Sequence, residues 1–169
     1  MQESNCKQTD SARNQEHQLR ASVLLTLDQR WESEPLLTSR SELFALEKEV
    51  LQEAAAQWPG KPIADLRRLS APLFASRLED LEEQDPAKYL RLFQICGFFE
   101  TVGYVTKANY ITLTDVSELF SVSINATAVV FRPYIQYLLD IRGADPMLYS
   151  NLRWLISEVE KRQAISLVP

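Results

Sequence analysis

Apolar residues return every three or four positions along most of the chain, with polar residues between them. That is the period of a helix with one face against a core. Val23, Leu24, Leu27 and Trp31 form such a stripe and predict a first helix over about residues 16–32, with Arg20, Asp28 and Gln29 toward water. "SEP" follows. Ser33 stands as an N-cap, and Pro35 falls in the first turn of a second helix, where its missing amide proton is not needed. Leu43, Leu46, Val50 and Ala54 carry that helix on until "WPGKP" stops it. A third helical region covers about residues 63–83. Pro72 divides it, Ser70 is placed to cap its second part, and Phe74, Leu78 and Leu81 share its inner face.

Asp85-Pro86 is another cap-and-start pair, and it launches the helix 85–107, which contains "FQICGFFETVGYV". On a helical wheel Phe93, Cys96, Gly97, Glu100 and Tyr104 share one side, with Ile95, Phe98, Phe99 and Val102 opposite. A helix apolar on all sides is a buried one, so this is the predicted centre of the fold. Gly97 and Gly103 each cost about 1 kcal/mol of helix propensity relative to Ala, which close approach of a neighbouring helix would offset. Next come a short helix over 114–120 and a long one over 123–142, with Gly143 at the left-handed position after it. Asp145-Pro146 opens a last helix with Leu148, Leu152, Leu155 and Val159 on one face. Residues 1–15 are polar and aperiodic and predict a disordered tail; 165–169 form a short C-terminal one. The expectation is all-α: one domain over 16–164, with about six helices in an irregular bundle around the 85–107 helix.

Length and composition fit that picture. With 169 residues, 46% of them hydrophobic, the chain can bury a core without disulfide or metal. The net charge of −5 opposes a general affinity for nucleic acid. Cys6 lies in a polar stretch and Cys96 in the most apolar one, which is no secretory disulfide framework. No leader-like segment and no membrane-spanning run is visible, so a cytoplasmic protein is expected.

The usual constellations for chemistry are missing. His17 is the only histidine, so neither a di-iron bundle nor a zinc site can be assembled, and no metal or cofactor is expected. Phosphate-binding loops and a hydrolase elbow are missing too, and no catalytic residue is assigned. Residues 115–131 look like the helix-turn-helix of some bacterial repressors. The reading helix would offer Ile124, Ala126, Ala128, Val129, Val130 and Phe131, however, with Asn125 its one polar reader and Ser121 where the turn glycine belongs.

Glu100 is the exception within an apolar helix. An unpartnered ionised carboxylate there would cost several kcal/mol, so a partner is predicted: Arg142 or Arg40, with Arg132 a third candidate. An internal ion pair fixing helix register is the favoured role. Trp31, Trp58 and Trp154 each stand where a core stripe meets a polar face, as packing residues do.

Two motifs, "LLTLDQRWESEPLLTSR" and "LFQICGFFETVGYVTKANYITLTDVSELF", followed by "PYI…IR", resemble the bacterial domain-of-unknown-function family numbered 4760. That family has a W-x-S…R helix and an FFE-x-x-G helix. The resemblance covers about residues 19–161 and implies that Trp31, Ser33, Arg40, Phe98, Phe99, Glu100, Gly103 and Arg142 are its motif positions. The chain departs from the pattern in having a polar tail where members often carry a membrane span, and small or β-branched residues at 128–130 in place of a tryptophan. The resemblance implies a helical fold and supplies no reaction.

The functional expectation is a non-enzymatic interaction module, accessory or regulatory, engaging a protein partner or itself, with no nucleic acid and with membrane association an open alternative that involves no spanning segment. The alternatives are an enzyme or small-molecule sensor around Glu100 and an arginine, and DNA binding through 115–131.

Overall fold

The computed structural model describes residues 2–166, with side chains from 13 to 164. Seven helices and no strand occur among the described residues: α1 (Gln2–Trp31), α2 (Glu34–Gln57), α3 (Ile63–Leu69), α4 (Ala71–Gln84), α5 (Pro86–Lys107), α6 (Leu113–Asp140) and α7 (Ser150–Ser166). α5 is the centre, packed against α2, α4, α6 and α7, with Leu92, Ile95, Cys96, Phe98, Phe99 and Val102 inaccessible. The all-α bundle around the 85–107 helix is therefore the architecture found.

Several boundaries differ from expectation, each for a physical reason. The backbone of α1 is helical back to Gln2 rather than from residue 16, and α7 continues to Ser166; residues 167–169 lie outside the described residues. Ser33 and Ser70 occupy the junctions before α2 and α4 but cap neither helix. Each hydroxyl instead donates its one proton backward, Ser33 Oγ to the Arg30 carbonyl at 2.6 Å and Ser70 Oγ to the Arg67 carbonyl at 3.1 Å, serving the helix that ends. Asp85 has no proton to give, and its carboxylate accepts the Lys88 N–H at 3.0 Å, as a cap should.

The largest difference is at 113–140, a single helix where two were expected. Thr112 and Asp115 form a capping box at its start. From there Val116, Phe120, Ile124, Thr127, Phe131, Tyr134 and Ile135 make one uninterrupted buried stripe across Ser121, which holds the helix together where no glycine breaks it. The turn of a helix-turn-helix is absent from 115–131, and Ile124, Ala128, Val130 and Phe131 are core rather than groove-facing. Even Pro133 does not end the helix, although it withholds an amide proton from the Val129 carbonyl.

α7 begins later than Asp145-Pro146 suggests. The Asp145 carboxylate accepts the Met147 N–H at 2.7 Å, closing a turn, and Tyr149 follows in the left-handed region at φ 48°. A non-glycine residue there is strained by about 1–3 kcal/mol. The Tyr149 ring stacks on Phe93, centroids 6.0 Å apart, and the helix starts only at Ser150.

Candidate functional site

Glu100 is half-buried on the face of α5 that meets α7. Its Oε1 accepts the Asn151 backbone N–H at 3.2 Å and the Asn151 side-chain Nδ2 at 2.8 Å; its Oε2 accepts the Leu152 N–H at 2.8 Å. The first amides of a helix have no partner within it and carry a partial positive charge. Glu100 supplies from another helix what an N-cap residue would supply from the same chain segment. One turn along α5, a Cβ at Gly103 would stand 2.5 Å from the Asn151 carbonyl oxygen, so only glycine admits the α7 backbone at that depth. A further turn on, Lys107 Nζ donates to Asn151 Oδ1 at 3.0 Å and lies 5.0 Å from the centre of the Trp154 ring. Glu100, Gly103 and Lys107, at i, i+3 and i+7, form a seat for the start of α7.

The predicted arginine partner of Glu100 is thereby corrected. Glu100 makes no ion pair among the described residues. Arg142 binds Glu82, Arg40 binds Glu32 at 3.0 Å, and Arg132 binds Glu160 at 2.7 Å. Three N–H donors at a helix end meet the hydrogen-bonding demand that was assigned to a guanidinium. Glu100 ties α5 to the start of α7 through hydrogen bonds rather than an ion pair, and each arginine stays near the surface.

The other motif residues form a second group. The Trp31 ring packs on Phe98, Phe99 and Phe120, with centroids 4.9, 5.2 and 5.9 Å away. Arg40 lies over the outer face of Trp31, its Cζ 4.5 Å from the ring, and donates to the Trp31 carbonyl at 3.3 Å. It clamps the α1–α2 corner through a cation–π contact. Trp31, Arg40, Phe98 and Phe99 thus hold α1 and α2 onto α5, while Glu100 and Gly103 hold α7.

A polar belt joins α4, α5 and α6. Tyr134 Oη donates to Glu82 at 2.9 Å, Tyr137 Oη to Glu79 at 2.6 Å, and the Tyr89 and Tyr134 hydroxyls lie 3.5 Å apart. Arg142 and the Tyr134 hydroxyl hold the Glu82 carboxyl below its usual range, and burial pushes the Tyr89 and Tyr134 phenols up. At the α1–α6 contact, the Arg20 guanidinium and Thr112 hold Asp115 down at about 2. Every buried side-chain polar atom among the described residues has a partner.

These groups offer little reactivity. Burial pushes the Cys96 thiol well up, so it is neither a nucleophile nor a thiolate ligand. Both Glu100 oxygens accept hydrogen bonds from the start of α7. His17 is exposed on α1, and no group of three or more His, Cys, Asp or Glu among the described residues is placed to hold a metal. No described helix is long and apolar enough to cross a membrane.

Two surface features were not anticipated. A groove of about 450 Å³ runs between α2 and α3, lined by Phe44, Lys48, Leu51, Ala55, Ile63 and Leu66. Its signal was present: Phe44, Leu51 and Ala55, at i, i+7 and i+11, make a second stripe on α2 beside the core stripe. A smaller cleft of about 300 Å³ opens where the α1–α2 corner meets α5, at Gly97. A Cβ on Gly97 would meet nothing within 4 Å, so close helix approach, expected at both glycines, holds at Gly103 alone. Compared with known proteins, the chain matches no family model, no curated protein and no solved structure.

Proposed function

We propose that the chain is a non-enzymatic interaction module that docks an apolar, acid-flanked helix of a protein partner in the α2–α3 groove. The observation that carries this reading is the groove itself, where Phe44 and Ile63 stand 49% and 56% exposed on either side of a floor that includes Leu66. Large apolar side chains facing each other across an open groove are anchors for a helix laid between them. The charge around the groove selects the partner. Glu47 is already neutralised by Arg67 at 3.0 Å, whereas Lys48 makes no ion pair among the described residues. A basic rim on a chain of net charge −5 favours an acidic helix over a second copy of the same acidic chain.

Membership of the family numbered 4760 belongs to the same proposal and rests on the Trp31–Arg40 and Phe98–Gly103 motifs. So does a cytoplasmic setting, with which the free, buried Cys96 is compatible.

The test is affinity capture from native cells with the full chain and with a Phe44→Glu, Ile63→Glu double variant, both confirmed folded by thermal melting. A partner retained by the first and lost by the second, and weakened by Lys48→Glu, supports the groove. Equal recovery by both chains overturns it.

A further inference from the structure

The Gly97 cleft goes beyond this reading. Gly97 sits within the central helix, where glycine costs about 1 kcal/mol relative to Ala. At Gly103 that cost has a visible return, because the α7 backbone occupies the space a Cβ would need. At Gly97 no packing reason exists: a Cβ there would enter open space. What the missing side chain does is leave room in a cleft of about 300 Å³ lined by Arg30, Ser33, Pro35, Leu36, Gln94 and Gly97.

The cleft has one positioned charge. Arg30, in the last turn of α1, reaches across to α5, where its Cζ lies 5.9 Å from the centre of the Phe98 ring, beside Gly97. No carboxylate pairs with it among the described residues, whereas Arg20, Arg40, Arg67, Arg77, Arg91, Arg132 and Arg142 all have one. Gln94 adds an amide, one turn before Gly97 on the same helix. The Ser33 hydroxyl has committed its proton to the Arg30 carbonyl and presents only acceptor lone pairs. Pro35 and Leu36 form an apolar wall, with Leu36 buried. An exposed guanidinium free of any carboxylate among the described residues, an amide beside it and an apolar wall over a flat glycine backbone suit a small carboxylate with an aliphatic body.

We infer that the Gly97 cleft is a binding site for a small aliphatic carboxylate, its charge on Arg30 and its hydrocarbon against Pro35, Leu36 and the Gly97 backbone.

The experiment is a titration of the isotopically labelled full chain with hexanoate, followed by amide NMR, with hexanamide as the uncharged isostere. The expected result is saturable shifts at Ser33, Leu36, Gln94 and Gly97. Affinity should fall about tenfold for hexanamide, and equally for Arg30→Gln with hexanoate, the factor for one charge-assisted contact. Gly97→Leu should abolish the shifts, with folding checked by melting. Gly97→Ala, whose Cβ has room, should keep the fold and weaken binding. No saturable shift at these amides would overturn the site, as would binding that persists undiminished in Gly97→Leu. Equal affinity for hexanamide would overturn the carboxylate assignment.

Discussion

The Glu100 carboxylate of α5 accepts the backbone amide of Leu152 in the first turn of α7 at 2.8 Å, across 52 positions of sequence. With the two contacts from Asn151, this makes a buried-helix carboxylate into the cap of a different helix. Glu100→Ala removes an anion from a helix N-terminus and strands two backbone amides. It should destabilise by about 2 kcal/mol in denaturant melts. An unchanged midpoint would show that α7 does not need the seat.

The same geometry predicts what Arg142 does not do. Arg142→Met disturbs Glu82 and the tyrosine belt, and Arg142 shares no partner with Glu100. In a double-mutant cycle Glu100→Ala and Arg142→Met should add to within about 0.5 kcal/mol. A larger coupling would restore a direct link between them.

The two glycines of α5 should respond to alanine with opposite signs. Gly97→Ala gains helix propensity into open space and should stabilise by up to about 1 kcal/mol. Gly103→Ala puts a methyl 2.5 Å from the Asn151 carbonyl oxygen and should destabilise by about 1–3 kcal/mol. Paired thermal melts decide the matter, and equal signs would refute it.

Asp115 links folding to acid. Its folded pKa, about 2, lies below the ordinary 3.8, first because Arg20 hydrogen-bonds the carboxylate. A depressed carboxyl stabilises the fold above its unfolded pKa, and that stability is lost as pH falls through the folded value, here from about pH 4 to about pH 2. Carboxyl-carbon NMR should show Asp115 titrating near the lower limit in the native chain and higher in Arg20→Gln, where the Thr112 bonds still hold it below the ordinary value.

Cys96 should resist modification. Its thiol is wholly buried and held in the protonated form. In a Cys6→Ser background, a thiol-disulfide reagent should label Cys96 only as fast as the protein unfolds, reaching completion in denaturant. Rapid labelling of the native chain would mean that α5 is accessible.

How much of this was legible in the sequence follows from which interactions are local. The apolar character of residues 92–106 identified the central helix, because a helix surrounded on all sides has no polar face to show. That Glu100 needed a partner was also legible, since burial makes the demand regardless of who meets it. The identity of the partner was not. Backbone amides carry no side-chain signature, and nothing in "YSNL" announces that its N–H groups will be turned toward a carboxylate half a hundred residues earlier. The break expected between 120 and 123 failed in the other direction: it was overridden by a core stripe running from Val116 to Ile135. Gly97 and Gly103 look alike in sequence, and only the distance to α7 separates them.

The seat on α5 also has a consequence for how the chain is made. α5 buries its α7-facing side only when residues 150–159 arrive, because Leu152, Leu155, Ile156 and Val159 complete the core. On the ribosome those residues are synthesised more than forty positions after α5. Throughout that interval the nascent chain leaves the α7-facing side of α5 uncovered, with Glu100 in water and Gly103 exposed. The stretch of translation between residue 107 and residue 159 is therefore the window in which this protein most needs a chaperone, and a stalled or prematurely terminated product would be the form most prone to aggregate.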